Sequence, residues 1–187
     1  RIRSLIRFTG FWLMHVEHVK AAKYLGQPSS YLVCDCSSRF AQLRRASQRC
    51  LKEKMAQIVE ASDKAAHDLG GDLARNQRNK IRSFFWATAA TIGLLNAWRG
   101  RRHFTLKIEM IECLVMAATP CGHEKTYERF LYEDLFGKFH LILGRASAEK
   151  AGFLNSIDAS VFEDNENFLA NQMAAAGFLT QYSDATR

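Results

Sequence analysis

Residues 83–98 read SFFWATAATIGLLNAW, an uncharged run with Lys80 and Arg82 before it and Arg99, Arg101 and Arg102 after it. A helix made of this run is apolar on every side, so it has to be covered by a protein core, a partner or a lipid bilayer. A bilayer asks for about 20 apolar residues at a rise of about 1.5 Å each, whereas runs of about 10–14 are more often buried helices of ordinary folds. This run falls between the two. Phe84, Phe85, Trp86 and Trp98 put aromatics at both ends, and the flanking cations can snorkel. Ala89 and Gly93 have the small-residue spacing of a close helix contact. Against a span stand its shortness, Asn96 near its end and the lack of a companion span. All three coverings remain open, with the centre of a helical bundle as the leading one.

Working outward, the 187 residues are 48% hydrophobic and 24% charged, with only two prolines, Pro28 and Pro120. That composition predicts an all-α fold, an irregular bundle of roughly five to seven helices with one uncharged central or membrane-embedded helix near residues 83–98. The first helix is expected from Ile2 to Leu25, stopped by Gly26 with Pro28 beyond. A second follows the apolar positions from Tyr31 to Leu69 and ends at Gly70-Gly71. A third, capped by Asp72, carries RNQRNKIR into the uncharged run. A fourth covers His103–Thr119, and a fifth covers about Glu124–Leu143. Residues 1–144 form the main bundle. Residues 145–187 are shorter, acidic helices packed on it within one domain, with the acidic FEDNENF read as a contact or solvent loop and a loose end after Tyr182.

Charge is strongly polarised. Residues 1–107 carry 20 Lys or Arg against 7 Asp or Glu, and residues 108–187 carry 6 against 12. A basic excess of this size points to an anionic partner such as RNA or anionic lipid. The candidate contacts are Arg39, Arg44, Arg45 and Arg49 on one helix, Arg75, Arg78 and Arg82 on the next, and Arg99, Arg101 and Arg102 after the uncharged run. Arginine suits phosphate through its planar, bidentate donors. No helix-turn-helix, zinc-finger or stacking-platform signature accompanies these residues, so base-specific readout is not expected.

Signatures of catalysis are missing. No phosphate loop, dinucleotide fingerprint or hydrolase elbow occurs, and His123-Glu124 lacks the second histidine of a zincin helix. His15 and His18 share a helix face and, with Cys34 and Cys36, make the one weak tetrahedral metal set. Helix histidines beside packed thiols are the simpler reading, so no metal or other cofactor is assigned. The odd cysteine count gives no disulfide framework.

The chain opens on Arg, with three arginines and no acidic residue before Glu17. This has the character of an organelle-targeting edge, and it suggests an intracellular, mitochondrial and membrane-associated setting. The expectation is a non-catalytic accessory or scaffold subunit of a larger assembly, an organellar membrane complex or a ribosome. Its partners are other protein subunits with anionic lipid or RNA, and no small-molecule substrate is evident. The alternatives are a free nucleic-acid-binding helical protein acting through phosphate contacts and a metal-dependent enzyme.

Overall fold

The computed structural model describes residues 2–97 and 101–180. α1 (Ile2–Leu25) ends where expected, because Gly26 takes a left-handed φ of 68° and its amide closes on Lys23. One face of α1 buries Phe11, Met14, His18, Ala21 and Ala22. At Gly10 the helix touches Ile92 and Thr88 so closely that a Cβ would lie 2.8 Å from a methyl of Ile92. α2 (Ala41–Asp68) buries a continuous stripe from Leu43 to Ala61 and stops at Leu69, followed by Gly70 at φ 80°.

The fold is mostly helical, with one addition that the all-α reading lacks. Residues from Tyr31 onward do not begin α2. Instead β1 (Leu32–Val33) pairs in parallel with β2 (Leu141–Ile142), Leu32 opposite Leu141 and Val33 opposite Ile142. Both strands are fully buried, so neither shows the polar alternation that marks a half-exposed strand. The fifth predicted helix is correspondingly shorter. A single α-turn, α5 (Tyr127–Arg129), continues as a π-helix over Phe130–Lys138, and the chain then enters β2 through His140 at φ 55°.

The uncharged run is not one helix, and the expected membrane-embedded helix finds no support in it. α3 (Arg75–Thr91) begins after Ala74, whose amide donates to Gln77 Oε1, so Asp72 is not its cap. It ends inside the run, because Gly93 at φ 85° turns the chain back and Leu94 and Leu95 continue in extended form. Leu95 then bridges Phe104 in antiparallel fashion, so residues 94–96 and 103–105 pair as the two arms of a hairpin. Burial is one-sided: Phe85 and Ala89 are covered, whereas Phe84 is 48% exposed. No helix among the described residues is long and apolar enough to cross a membrane. Trp98 and Arg99 lie outside the described residues, as does the end after Tyr182.

α4 (Ile108–Ala118) starts later than predicted because His103–Leu106 form the return arm of the hairpin. Then come α6 (Arg145–Lys150) and α7 (Ala159–Ala175). The acidic FEDNENF stretch, expected as a loop, is helical and lies inside α7, started by Asp158, whose side chain accepts from the Ser160 amide. α7 carries the buried Asn165 to the ends of both strands. Its Nδ2 donates to the Cys34 and Leu143 carbonyls at 2.9 Å each. Its Oδ1 accepts from the Cys36 and Ser37 amides at 2.8 and 3.2 Å. A second buried polar centre, Asp134 of the π-helix, accepts from Lys138 at 2.7 Å and from Lys125, which also reaches the Ala118 carbonyl.

Asn165→Leu leaves four buried backbone groups without partners and is expected to cost about 3–5 kcal/mol. Asn165→Asp keeps the shape but turns a donor pair into oxygens facing two carbonyls, and it should destabilise too. Urea midpoints measure both, with exposed Asn171→Leu on the same helix as a control that should stay near wild type. A wild-type midpoint for Asn165→Leu would refute the role of this amide.

Candidate anion-binding site

α2 begins with no acidic residue in its first turn, and the side chain of Phe40 at the N-cap offers no hydrogen bond to the free amides. A helix N-terminus carries partial positive charge and normally attracts Asp or Glu. Here the sequence supplies cations instead, Arg39 before the helix and Arg44 and Arg45 at its fourth and fifth positions. The two hairpin arms lie against this end, with Asn96, Arg101 and His103 facing Ala41, Arg44 and Arg45. The neck of the hairpin is fixed on two sides: the Phe104 amide donates to Ser47 Oγ at 2.7 Å, and the Phe104 carbonyl accepts from the Asp35 amide at 2.9 Å. Asn96 Oδ1 accepts from the His103 amide at 2.8 Å and joins the two arms.

Between helix and hairpin lies an open cleft of about 320 Å³, lined by Arg44, Arg45 and Gln48 from α2 and by Asn96, Arg101 and His103 from the hairpin. Arg44 is held in place by a bond from its Nη1 to the Ser38 carbonyl at 2.6 Å. Arg45 is exposed and borders a second cleft of about 460 Å³, shared with Arg49, Ser156 and Ile157. Arg49 makes a loose 4.0 Å pair with Glu53, both well exposed, and its guanidinium carbon lies 6.0 Å from the centre of the Phe153 ring. Of the four α2-side arginines named from the sequence, Arg44 and Arg45 therefore share a cleft with Arg101, Arg49 borders the next cleft, and Arg39 precedes the helix.

The other candidates go elsewhere. Arg78 is paired with Asp63 at 2.7 Å, and Arg75 and Arg82 lie exposed along α3. The Arg102 guanidinium carbon sits 3.4 Å from the centre of the Trp86 ring, a cation–π contact that ties the hairpin to α3. Of the residues assigned to the uncharged helix, Phe85 and Ala89 pack in the core and Gly93 makes the turn.

His103 is the contact within the cleft that sequence reasoning missed. It is 4% exposed, and among the described residues neither ring nitrogen makes a hydrogen bond of good geometry. Its Nε2 lies 3.7 Å from Oδ2 of the fully buried Asp35. Oδ1 of that carboxylate is held by the Ser38 amide at 2.8 Å and Ser37 Oγ at 3.2 Å. Burial lowers the pKa of the His103 ring, with Arg44 acting the same way and Asp35 opposing. The ring thus faces Asp35 and the Arg101 backbone from within the wall of a cleft bordered by three guanidinium groups. The sequence signal was only a histidine directly after two arginines, which is too common to stand out.

The weak metal set is not brought together. Among the described residues no group of three or more His, Cys, Asp or Glu side chains is placed to hold a metal ion. Cys34 and Cys36 are buried free thiols, and burial pushes Cys36 up to about 12. His15 and His18 instead surround a buried lysine, Lys54, beside His140. Lys54 Nζ donates to His18 Nδ1 at 2.7 Å and to the Ser30 carbonyl at 2.6 Å, and His18 Nε2 lies 2.7 Å from Gln57 Oε1. With Nδ1 accepting from Lys54, Nε2 carries the proton to Gln57. The space beside this cluster is about 20 Å³, room for roughly one water molecule and no substrate. It is a polar clamp between α1 and α2.

Burial lowers Lys54 to about 7 from an ordinary 10.5. Burial first, then neighbouring positive charge, lowers His15 to about 4 and His18 to about 3. Between pH 7 and 10.5 the unfolded chain holds the Lys54 proton more tightly than the folded one, so stability rises with pH there. The steepest slope is about 1.4 kcal/mol per pH unit. Buried thiols with raised pKa oppose this trend above their ordinary value of 9.0, which leaves pH 7–9 as the clean window. Below 6.5 the two histidines bind protons only on unfolding, and stability falls. Lys54→Met should remove the alkaline rise in urea midpoints between pH 7 and 9 and retain the acid fall. Equal slopes in both proteins would contradict this account.

No protein-family model, curated protein or solved structure matches this chain.

Proposed function

We propose that this protein is a non-catalytic helical subunit of a nucleic-acid-containing assembly, gripping the phosphate backbone of RNA or DNA with the arginine end of α2. The observation that carries this reading is the start of α2, an uncapped helix end with no carboxylate in the first turn, beside which Arg44, Arg45 and Arg101 line one cleft and which Arg39 precedes in sequence. Free helix amides and guanidinium groups are the donors that position phosphates without reading bases. The clefts are open and rimmed by arginines, which suits a backbone lying across them.

A second feature supports membership of an assembly. α1 leaves Ile2, Leu5 and Ile6 61–76% exposed and Leu13 53% exposed along its outer side. Such a row of large apolar side chains suits a neighbouring protein subunit. The acidic helical face of α7, with Glu163 and Asp164, lies in the part of the chain with excess negative charge and leaves the basic end of α2 unneutralised.

Mixed-sequence RNA and DNA should bind with affinity that falls steeply with salt. Arg45→Ala and Arg49→Ala, both at exposed positions, should weaken binding evenly across sequences and lower the log–log salt slope by about 1 for each phosphate that is no longer neutralised. Fluorescence anisotropy titrations at several salt concentrations measure both effects. No measurable affinity at low salt, or an unchanged slope in the double variant, would overturn the proposal.

A further inference from the structure

α1 carries two apolar stripes, and the rest of the chain covers one of them. Phe11, Met14 and His18 turn into the core. On the outer side Ile2, Leu5, Ile6, Trp12 and Leu13 are each at least 45% exposed, at the three- and four-residue spacing of a single helix face. Around them the charge has one sign. Every other exposed residue of α1 is a cation, Arg3, Lys20 or Lys23, or carries a neutral hydroxyl, Thr9 or Tyr24. Lys20 prolongs the outer stripe two turns beyond Leu13, and the one carboxylate of the helix, Glu17, is half-buried.

α3 extends this surface sideways. The two helices meet where a Cβ at Gly10 would lie 3.3 Å from a methyl of Thr88, and Ile6 and Leu13 stand one turn to either side of Gly10. Phe84, which is also exposed, stands one turn before Thr88. Exposed apolar side chains of both helices therefore border the same seam. α3 contains no acidic residue and adds the exposed Lys80 and Arg82. α4, with the exposed Glu109, meets α1 on another side, where Cys113 Sγ donates to the Ser4 carbonyl at 3.3 Å.

We infer that the outer face of α1, with the adjoining edge of α3, rests on the surface of an anionic lipid bilayer, α1 lying in the plane of the headgroups. A helix at that boundary needs an apolar face with a Trp or Phe among its aliphatic residues, edged by Lys and Arg. Here the hydrocarbon edge takes Ile2 to Leu13, and the anionic headgroups take the cations, whose long side chains reach up to them. The apolar row spans about 17 Å at about 1.5 Å per residue, well short of a hydrocarbon core of about 30 Å, so the helix lies along the surface and does not cross it. A protein neighbour suits the apolar row by itself, but matching the cationic edges as well takes carboxylates. A bilayer with anionic headgroups brings both complements at once. The inference is independent of the phosphate contacts of α2, whose arginines take no part in it.

The test sediments the full chain with vesicles of phosphatidylcholine alone and of phosphatidylcholine with about 30% phosphatidylserine, at fixed salt. The anionic vesicles are expected to bind at least about tenfold more tightly, since each cation near such a surface adds about fivefold. Leu5→Gln combined with Leu13→Gln should lower that affinity about tenfold or more, with an unchanged urea midpoint because both positions face away from the core. Lys80→Gln with Arg82→Gln should weaken binding to the anionic vesicles alone. Arg45→Ala with Arg49→Ala should bind vesicles as the wild type does.

Sedimentation with neither vesicle overturns the inference and leaves the α1 row to a protein neighbour. Equal binding to both vesicle types overturns it too, because the cations then do nothing. So does binding that survives the two leucine substitutions and is lost in Arg45→Ala with Arg49→Ala, which would place the lipid phosphates on α2. The oligonucleotide titrations of the arginine end decide the phosphate contact separately, whichever way the vesicles behave.

Discussion

One buried amide organises the centre of this protein. Asn165 on α7 uses all four of its hydrogen-bonding positions on backbone groups of two chain segments separated in sequence by more than a hundred residues. The strands it joins are only two residues long, too short to supply many ladder bonds of their own. An amide side chain can supply the missing donors and acceptors in fixed geometry, which an apolar residue cannot. Because the bonded groups flank Asp35, the amide also fixes the segment that carries this carboxylate.

From that segment the constraint passes outward to the surface. The Asp35 amide meets the Phe104 carbonyl, the Phe104 amide meets Ser47 on α2, and so the hairpin is seated against the end of the helix that bears the arginines. Asp35 is then positioned behind His103. The two steps through Phe104 are short hydrogen bonds among buried residues, and the last is a 3.7 Å contact between buried side chains. The cleft is therefore built on the rigid interior even though its rim is exposed, a requirement for holding several cations in one place.

How much of this was legible in the sequence depends on how local the signal was. Gly26 with Pro28, and Gly70-Gly71, are local stop signals, and α1 and α2 end at them. The arginine cluster at the start of α2 was equally visible, because i to i+5 spacing on a helix is local geometry. Tyr31 to Phe40 was not, because two fully buried strand residues leave no period, and Phe40, Leu43 and Cys50 extend a helical rhythm backward. The uncharged run misled for a related reason. Lack of charge describes burial, and burial is common to a helix and to the turn and arm that follow Gly93. Asn165 was hidden inside an acidic stretch whose overall polarity suggests solvent, while its own importance comes wholly from partners far away in the chain. His103 was hidden similarly, since Asp35 is distant in sequence.

The arginines at the start of α2 pose the remaining question, and energetics gives its answer a direction. A cation near a helix N-terminus opposes the dipole by about 0.3–1 kcal/mol at an exposed site, and like charges gathered around it add to the cost. The protein contains carboxylates that could have answered this charge. Asp35 is close, but it lies beneath His103 and is held by Ser37 and Ser38, and Glu53 pairs loosely with Arg49 farther along the helix. The charges on α7 are partly used by Arg145, which pairs with Glu163 at 2.6 Å. Elsewhere the same chain neutralises its buried charge with care, as at Asp134 with two lysines. A fold that balances charge in its interior and leaves it concentrated at one helix end offers the basic surface on which the proposed phosphate contact rests. Phosphate is the anion whose geometry best matches guanidinium groups and free helix amides together.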